Sequence, residues 1–224
     1  EELEIILNEF CEYNFYILGS GSNLLIRDKG FNGVIIKLGK GFNYYELYDD
    51  CIEVGASILD INLSNFALKN NIEGFEFFSG IPGSVGGAIK MNAGCFGNET
   101  KDILKNVEIY NEKFEKKIVK MEDINLKYRS SNIKNSEIVT KAIFKTNIGE
   151  NKEIKKKMDS IKKKRISSQP IKYKTSGSTF KNPKPLFAAK LIEEAGCKGL
   201  KYGDAMVSEK HANFLINNGN ASAA

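Results

Sequence analysis

"SGIPGSVGGAIKMNAGCFGNE", residues 79–99, is the stretch on which the reading of this chain turns. Six of the chain's 20 glycines, at positions 80, 83, 86, 87, 94 and 97, fall inside it. Glycine reaches backbone angles that other residues resist, and it lets another group lie against the main chain. Pro82 stiffens the loop, Ser79 and Ser84 add hydroxyls, and Asn92 and the backbone N–H groups can face heteroatoms. Between Glu76 and Glu99 only Lys90 carries a charge. A bare, uncharged cradle suits a large planar ligand better than a lone phosphate. Close helix–strand packing at the glycines is the alternative that needs no ligand.

Upstream, "LGSGSNLLIRD" (18–28) begins like a dinucleotide fingerprint at Gly19, Gly21 and Asn23. The third glycine is missing, and the loop leads to an apolar triplet and a turn. A dinucleotide loop must open a helix whose N-terminus faces the pyrophosphate. What remains is a strand–loop–strand whose small residues leave several N–H groups for an anion nest, or else an ordinary tight turn. Two such loops on one sheet suit a long ligand with a diphosphate at one end and a ring at the other, a description that FAD meets.

Downstream, "KYRSS" (127–131) sets Arg129 between a tyrosine and two serines. It reads as a bidentate carboxylate clamp or as a surface arginine. In "TSGSTFKNP" (175–183), Ser178 could exchange a proton, and Lys181 and Asn182 could hold a phosphate or a sugar. No Gly-x-Ser-x-Gly elbow accompanies the chain's one histidine, His211, and no Asp partner is identifiable, so a hydrolase triad is poorly supported. His211 reads as a pocket-lining or structural residue.

Composition sets outer bounds. The 224 residues are 42% apolar and 27% charged, ordinary for a soluble globular chain. No run approaches the ~20 apolar residues of a membrane span. The opening "EELEIILNEF" is acidic and amphipathic, unlike a signal peptide, and it lacks Met, as a fragment would. Cys11, Cys51, Cys95 and Cys197 match no metal or redox pair; they suit a reducing cytoplasm and read as small buried residues. No metal is expected. Much of the net charge of +5 lies in 152–165. Ile154, Met158 and Ile161 recur there at helical spacing, which makes the lysines a solvated face. A nucleic-acid patch is the other reading, but no aromatic residue is interleaved for stacking. Some of this charge could also draw anionic substrates toward a cleft.

The element pattern is mixed. Leu3, Ile6, Leu7, Phe10 and Cys11 predict a first helix, and "FYIL" and "VIIKL" predict strands. "FNYYELY" and "CIEVGA" predict a hairpin, and Leu59, Leu63, Phe66 and Ala67 predict a helix on a sheet. "NVEIY", "EKKIV" and "SEIVTKAIF" predict an antiparallel sheet. After a polar loop, "LFAAKLIEEAG" predicts a helix ended by Gly196, and "HANFLIN" a strand.

In this order, the pieces resemble the UDP-N-acetylenolpyruvoylglucosamine reductase (MurB) family of peptidoglycan precursor synthesis. The resemblance is carried by "LGSGSNLLIRDKGFNGVIIKL", "GFEFFSGIPGSVGGAIKMNAGCFGNE", "YRSS", "GSTFKNP" and "AAKLIEEAGCKGLKYGDAMVSEKHANFLIN", and it runs from about residue 15 to the end. It implies an α+β protein with the vanillyl-alcohol-oxidase/PCMH-type FAD-binding fold of two subdomains plus a partial substrate-binding domain. Expected domains are 1–40 and 41–165, which hold FAD, and 166–224, which closes over substrate. The implied reaction is NADPH-dependent, FAD-mediated reduction of UDP-N-acetylglucosamine enolpyruvate to UDP-N-acetylmuramate, by a cytoplasmic monomer that binds neither nucleic acid nor membrane. Another FAD oxidoreductase of the same fold is the alternative within the class.

The resemblance also implies site residues. Gly19, Ser20, Gly21, Ser22, Asn23 and Leu24 would line the FAD diphosphate. Ser79, Gly80, Ile81, Pro82, Gly83, Ser84, Gly86, Gly87 and Ala88 would form the wall along the flavin, continued by Asn92 and Gly94. Arg129 would be the active-site arginine and Ser178 the proton donor. Lys181 and Asn182 would contact the nucleotide diphosphate, and His211 would join them on the substrate. The short span from Arg129 to Ser178 is similar to the subclass without a tyrosine-bearing loop. Two departures are expected: the family's first strands precede residue 1, and its catalytic glutamate falls beyond "NNGNASAA", so no Glu here takes that role.

Overall fold

The computed structural model describes residues 2–223. They divide into two compact units, one of residues up to 21 and 32–161, the other of 22–31 and 162 onward.

The first unit opens with helix α1 (Glu2–Glu9). Leu3 and Leu7, one turn apart, bury its inner face with Ile36, Tyr110 and Ile138. Strands β1 (Phe15–Ile17) and β2 (Val34–Ile36) pair in parallel. Strands β3 (Tyr45–Leu47) and β4 (Cys51–Gly55) form the expected hairpin. Helix α2 (Asp60–Lys69) turns Leu63 and Ala67 into the core, and its Phe66 stacks on Tyr45 with centroids 4.5 Å apart. The short strand β5 (Ile72–Glu73) leads to a 3₁₀ turn, Glu76–Gly80, and then to helix α3 (Val85–Lys90).

The hairpin of β6 (Gly94–Cys95) and β7 (Asn98–Glu99) turns through Phe96 and Gly97, both left-handed at φ 54° and 93°. Paired left-handed residues give a turn whose twist matches the strands it joins, which accounts for Gly97. Helix α4 (Thr100–Ile103) follows, and the remaining strands of this unit are β8 (Leu104–Tyr110), β9 (Lys116–Lys120), β10 (Ile138–Lys145) and β11 (Asn147–Ile148). The main sheet is antiparallel in the order β3-β4-β10-β8-β9, and β11 pairs with β5.

On β10, Thr140, Ala142 and Phe144 alternate into the core. Phe144 meets Phe75 edge-on at 5.7 Å and Phe78 at 6.1 Å, while Phe77 and Phe78 lie 4.2 Å apart. Burying each ring contributes about 1.5–3 kcal/mol. The "FEFF" run thus anchors the start of the glycine stretch. Helix α5 (Asn151–Ser168) buries Ile154, Met158 and Ile161 as its spacing predicts. Several of its lysines hold acidic partners, as in Lys155–Asp159 at 2.8 Å and Lys157–Glu76 at 3.3 Å.

In the second unit, helix α6 (Ala188–Glu194) ends before Gly196, which takes φ 72°. Strands β12 (Lys201–Tyr202), β13 (Ala205–Val207) and β14 (Leu215–Asn217) form an antiparallel meander. Single bridges pair Lys174 with Asn217 and Ser178 with Phe214. The Ala223 N–H donates to Asp28 Oδ2 at 3.1 Å, which joins the 22–31 segment to the end of the chain.

Two expectations need correction. "LLI" forms no strand; Leu25 and Ile26 are exposed, with no sheet neighbour to bury them. Cys11 is exposed and the other three cysteines are only partly covered: Cys51 opens β4, and Cys95 packs at the margin of the core. Among the described residues no helix is long and apolar enough to cross a membrane.

Candidate functional site

In the first unit the two small-residue loops adjoin. A Cβ added to Gly19 would lie 2.6 Å from Ser84 Oγ. Gly19, Ser20 and Gly21 are exposed just after β1, and Gly21 holds φ 77° with only Leu18 Cδ1 near its Cβ position, at 4.0 Å. This exposed segment lies beside the start of α3. Ser22, Asn23 and Leu24 continue this loop within the second unit.

The glycines of 79–99 divide by cause. Gly83 is packed against α2: an added Cβ would meet Asp60 Oδ2 at 2.3 Å. Gly86 lies against Ala56, with its Cβ position 3.2 Å from that methyl and 3.3 Å from the carbonyl oxygen. Gly94 faces Asn98 O at 2.5 Å across its hairpin. These three are required by the protein's own packing. Gly87 is different: exposed, its nearest neighbour Ser84 Oγ at 3.5 Å, it has room for a methyl. The Ser79 hydroxyl donates to Glu76 O at 2.6 Å, which fixes the entry to Gly80, Ile81 and Pro82. Ala88 is buried one turn into α3.

Asp60 is 0% exposed, and neither carboxylate oxygen has a partner among the described residues. Its N–H donates to Gly83 O at 3.0 Å. Burial holds its carboxyl well above the ordinary aspartate range, because a lone charge out of water is far costlier than a neutral acid. Nothing in the sequence singles it out, since Asp is common in a helix's first turn.

Arg129 sits at the third position of a tight turn closed by Lys127 N–H to Ser130 O at 3.0 Å and Ser130 N–H to Lys127 O at 3.1 Å. Its φ is 54°, a left-handed conformation that costs a side-chain-bearing residue roughly 1–2 kcal/mol. Glycine would sit there more easily, which makes an arginine informative. The guanidinium donates to Gly94 O at 2.6 Å and lies over the Tyr128 ring at 5.1 Å. Next along, the Ser131 hydroxyl donates to Lys90 O at 2.7 Å, and Lys90 Nζ donates back to Ile133 O. Burial lowers the Lys90 pKa.

Asn92 was expected against the cofactor, yet its side chain is 0% exposed and fully engaged. Its amide donates to Glu99 Oε2 at 3.0 Å and Lys127 O at 3.2 Å, and its carbonyl accepts from Lys101 N–H at 3.0 Å. It organises the wall from behind rather than facing heteroatoms.

In the second unit Ser178 is exposed and its loop is held by Asn213. The Thr179 N–H donates to Asn213 O at 2.8 Å. The Asn213 side chain accepts from Phe180 N–H at 2.9 Å and donates to Phe180 O at 2.8 Å. His211 Nδ1 accepts from Asn213 N–H at 3.3 Å, and the ring meets Phe214 edge-on at 4.7 Å. Burial lowers the His211 pKa, so the imidazole is neutral near pH 7 and its free proton is on Nε2. Asn182 Oδ1 accepts from the N–H of Ala188, the first residue of α6, and Lys181 is exposed. Asn213 and Glu99 drew no notice in the sequence because buried amides and caps have no spacing signal.

A groove of about 520 Å³ beside the β8–β9 hairpin, lined among others by Asn111, Lys113 and Lys134, holds none of these residues. Some of its charges are paired, as in Lys117–Glu137 at 3.3 Å and Lys134–Glu112 at 2.8 Å. Among the described residues no group of three His, Cys, Asp or Glu could hold a metal ion.

Two family models match the chain. "FAD binding domain" covers residues 1–113, and "UDP-N-acetylenolpyruvoylglucosamine reductase, C-terminal domain" covers 169–224. The UDP-N-acetylenolpyruvoylglucosamine reductase of Clostridium tetani is 46% identical over 210 residues, 93% of this chain and 68% of that protein. That of Rickettsia typhi is 47% identical over 205 residues, 92% and 70%.

The chain belongs to the UDP-N-acetylenolpyruvoylglucosamine reductase family.

The crystal structure of MurB from Thermus caldophilus superposes with a TM-score of 0.90 at 37% identity, over 98% of this chain and 80% of that one. Quinoline 2-oxidoreductase from Pseudomonas putida 86, at 12% identity and a TM-score of 0.51, shares the fold alone. The fold is therefore the α+β, PCMH-type FAD-binding fold, and the protein is an FAD-dependent oxidoreductase of peptidoglycan synthesis. The residues present fit FAD: Gly19–Gly21 are exposed just after β1, Ser84 stands beside Gly19, and Gly87 leaves clear space on α3.

Proposed function

We propose that this chain uses NADPH to reduce the enolpyruvyl ether of UDP-N-acetylglucosamine enolpyruvate to the lactyl ether of UDP-N-acetylmuramate. The observation that carries this reading is Arg129, an arginine held in a glycine-like conformation beside the wall of the flavin loop. Strain of this kind persists where the surroundings over-determine it, commonly at working sites.

The net change adds a hydride to the terminal alkene carbon and a proton to its neighbour. FAD, when bound, would supply the hydride chemistry that links NADPH to the alkene. The chain's own residues do the rest. Residues 19–24 would hold the FAD diphosphate through main-chain N–H groups, and 79–88 would set the flavin's place. Negative charge builds on the carbon that joins the ether oxygen to the carboxylate. Arg129 pairs with that carboxylate more strongly as it becomes enolate-like, so it lowers the barrier rather than merely binding substrate. The Ser178 hydroxyl gives its proton to the same carbon. A hydroxyl is a weak acid, but the carbanion is a strong base. Lys181, Asn182 and the neutral His211 serve the nucleotide diphosphate, His211 as an Nε2–H donor. On this reading 1–40 and 41–165 form the FAD-holding part and 166–224 the substrate part. The β1–β2 pair, the five-stranded sheet and the β12–β14 meander fall one in each. The enzyme would act in the cytoplasm as a monomer.

The test is an absorbance spectrum of the purified chain with and without FAD, followed by single-turnover kinetics. A flavin spectrum is expected, together with reduction by NADPH. Arg129→Ala should still be reduced by NADPH but should reduce substrate about 10²–10³-fold more slowly. Equal losses in both half-reactions would overturn the role given to Arg129. A protein that gains no flavin would overturn the reading as a whole.

A further inference from the structure

We propose that Asn92 and Glu99 are positioning residues for Arg129: the Asn92 amide ties the turn that carries Arg129 to the 92–99 segment, and the Glu99 carboxylate holds that amide in place. This rests on the role given to Arg129 above.

The geometry is a clamp closed at two points. At the base of the 127–130 turn, Asn92 Nδ2 donates to Lys127 O at 3.2 Å. At its tip, the Arg129 guanidinium donates to Gly94 O at 2.6 Å. Both contacts reach the same short hairpin. A turn that holds an arginine at φ 54° needs such support, since free in solution it would relax to a right-handed or extended form. Asn92 is itself left-handed, at φ 40°, so two strained residues brace each other.

Glu99 anchors the other end. Its carboxylate accepts from Asn92 Nδ2 at 3.0 Å and pairs with Lys101 Nζ at 2.8 Å. Its N–H donates to Asp102 Oδ2 at 2.7 Å, which fixes the backbone at the start of α4. Its pKa is lowered, first by Lys101, then by the Asn92 hydrogen bond, with a further contribution from the charge of Arg129. One N–H of Arg129 is spent on Gly94 O, which leaves others of its five donors for a carboxylate ligand. Asn92 fixes where those donors are, and Glu99 fixes Asn92.

The test is a double-mutant cycle in FAD-loaded protein, with Asn92→Ala and Arg129→Ala singly and together, and Glu99→Gln beside them. Three quantities are read: flavin reduction by NADPH, single-turnover reduction of substrate by the reduced enzyme, and the substrate Kd from perturbation of the oxidised flavin spectrum. Asn92→Ala is expected to leave reduction by NADPH within twofold of wild type. It should slow substrate reduction about 10²-fold, the cost of misplacing a reacting group by roughly 1 Å. In the Arg129→Ala background the same change should have no further effect, because residues acting through one another are not additive. Glu99→Gln keeps shape and removes charge; it should slow substrate reduction about tenfold and weaken substrate binding.

Equal slowing by Asn92→Ala in both backgrounds would overturn the inference. Should Asn92→Ala fail to fold or to hold FAD, Glu99→Gln decides: wild-type substrate reduction and Kd in that variant would overturn it. If Arg129→Ala itself reduces substrate normally, the function assigned to Arg129 fails first. The two failures are therefore distinguishable.

Discussion

Asp60 offers a direct test of the core beneath the flavin loop. Its carboxyl is fully buried, has no partner on either oxygen, and sits where a Cβ on Gly83 would be. Burial raises its pKa well above the ordinary aspartate value and so favours the protonated form in the folded chain. In the unfolded chain it ionises near the ordinary value of about 3.9. Above that pH the folded state holds one proton more than the unfolded state. Folding stability then falls as pH rises, by about 1.4 kcal/mol per pH unit for this one group, until pH passes the folded pKa. Its contribution is fully present below about pH 4 and is lost upward from there, the reverse of a salt-bridged aspartate.

Asp60→Asn removes the titration and nearly preserves the shape. The stability of wild type minus that of Asp60→Asn should fall as pH rises above about 4, by at most about 1.4 kcal/mol per pH unit. The absolute offset includes the unmet hydrogen bonds of the new amide, about 1–3 kcal/mol. The slope does not include it. Urea unfolding at three pH values measures the slope, and a carboxylic-acid infrared band present in wild type and absent in Asp60→Asn gives a second readout. Parallel pH profiles for the two proteins would show an ionised Asp60 and refute the reasoning.

Gly87→Ala should raise stability by up to about 1 kcal/mol, since the added methyl meets only ordinary contacts on a helix. If FAD affinity falls in that variant, Gly87 faces the cofactor; unchanged affinity by fluorescence titration would remove it from the site. Gly94→Ala should cost about 1–3 kcal/mol in thermal or urea unfolding, because the methyl would strike Asn98 O at 2.5 Å across the hairpin. Ser178→Ala should slow substrate reduction and leave reduction by NADPH unchanged in stopped-flow; normal turnover would dismiss serine as the acid.

Much of this molecule is legible in local pattern. Helical spacing at 154, 158 and 161 placed α5, and alternation placed the β8–β10 sheet. Order and spacing of the motifs pointed to the family. These succeed because a residue's period along the chain decides which face is buried, whatever the face later meets. The glycine stretch resists such reading. A bare backbone looks the same in sequence whether a ligand or the protein itself lies against it. Only the tertiary structure separates Gly83, Gly86 and Gly94, crowded by Asp60, Ala56 and Asn98, from Gly87, which is not. The same holds for Asn92, turned inward to Lys127 across 35 positions of chain, and for Asp60, whose protonation follows from what surrounds it. Periodicity is a property of neighbours in the chain, while hydrogen bonding and desolvation belong to neighbours in space. The sequence alone therefore determines the elements and the family, and the folded chain decides which side chains are free to meet a ligand.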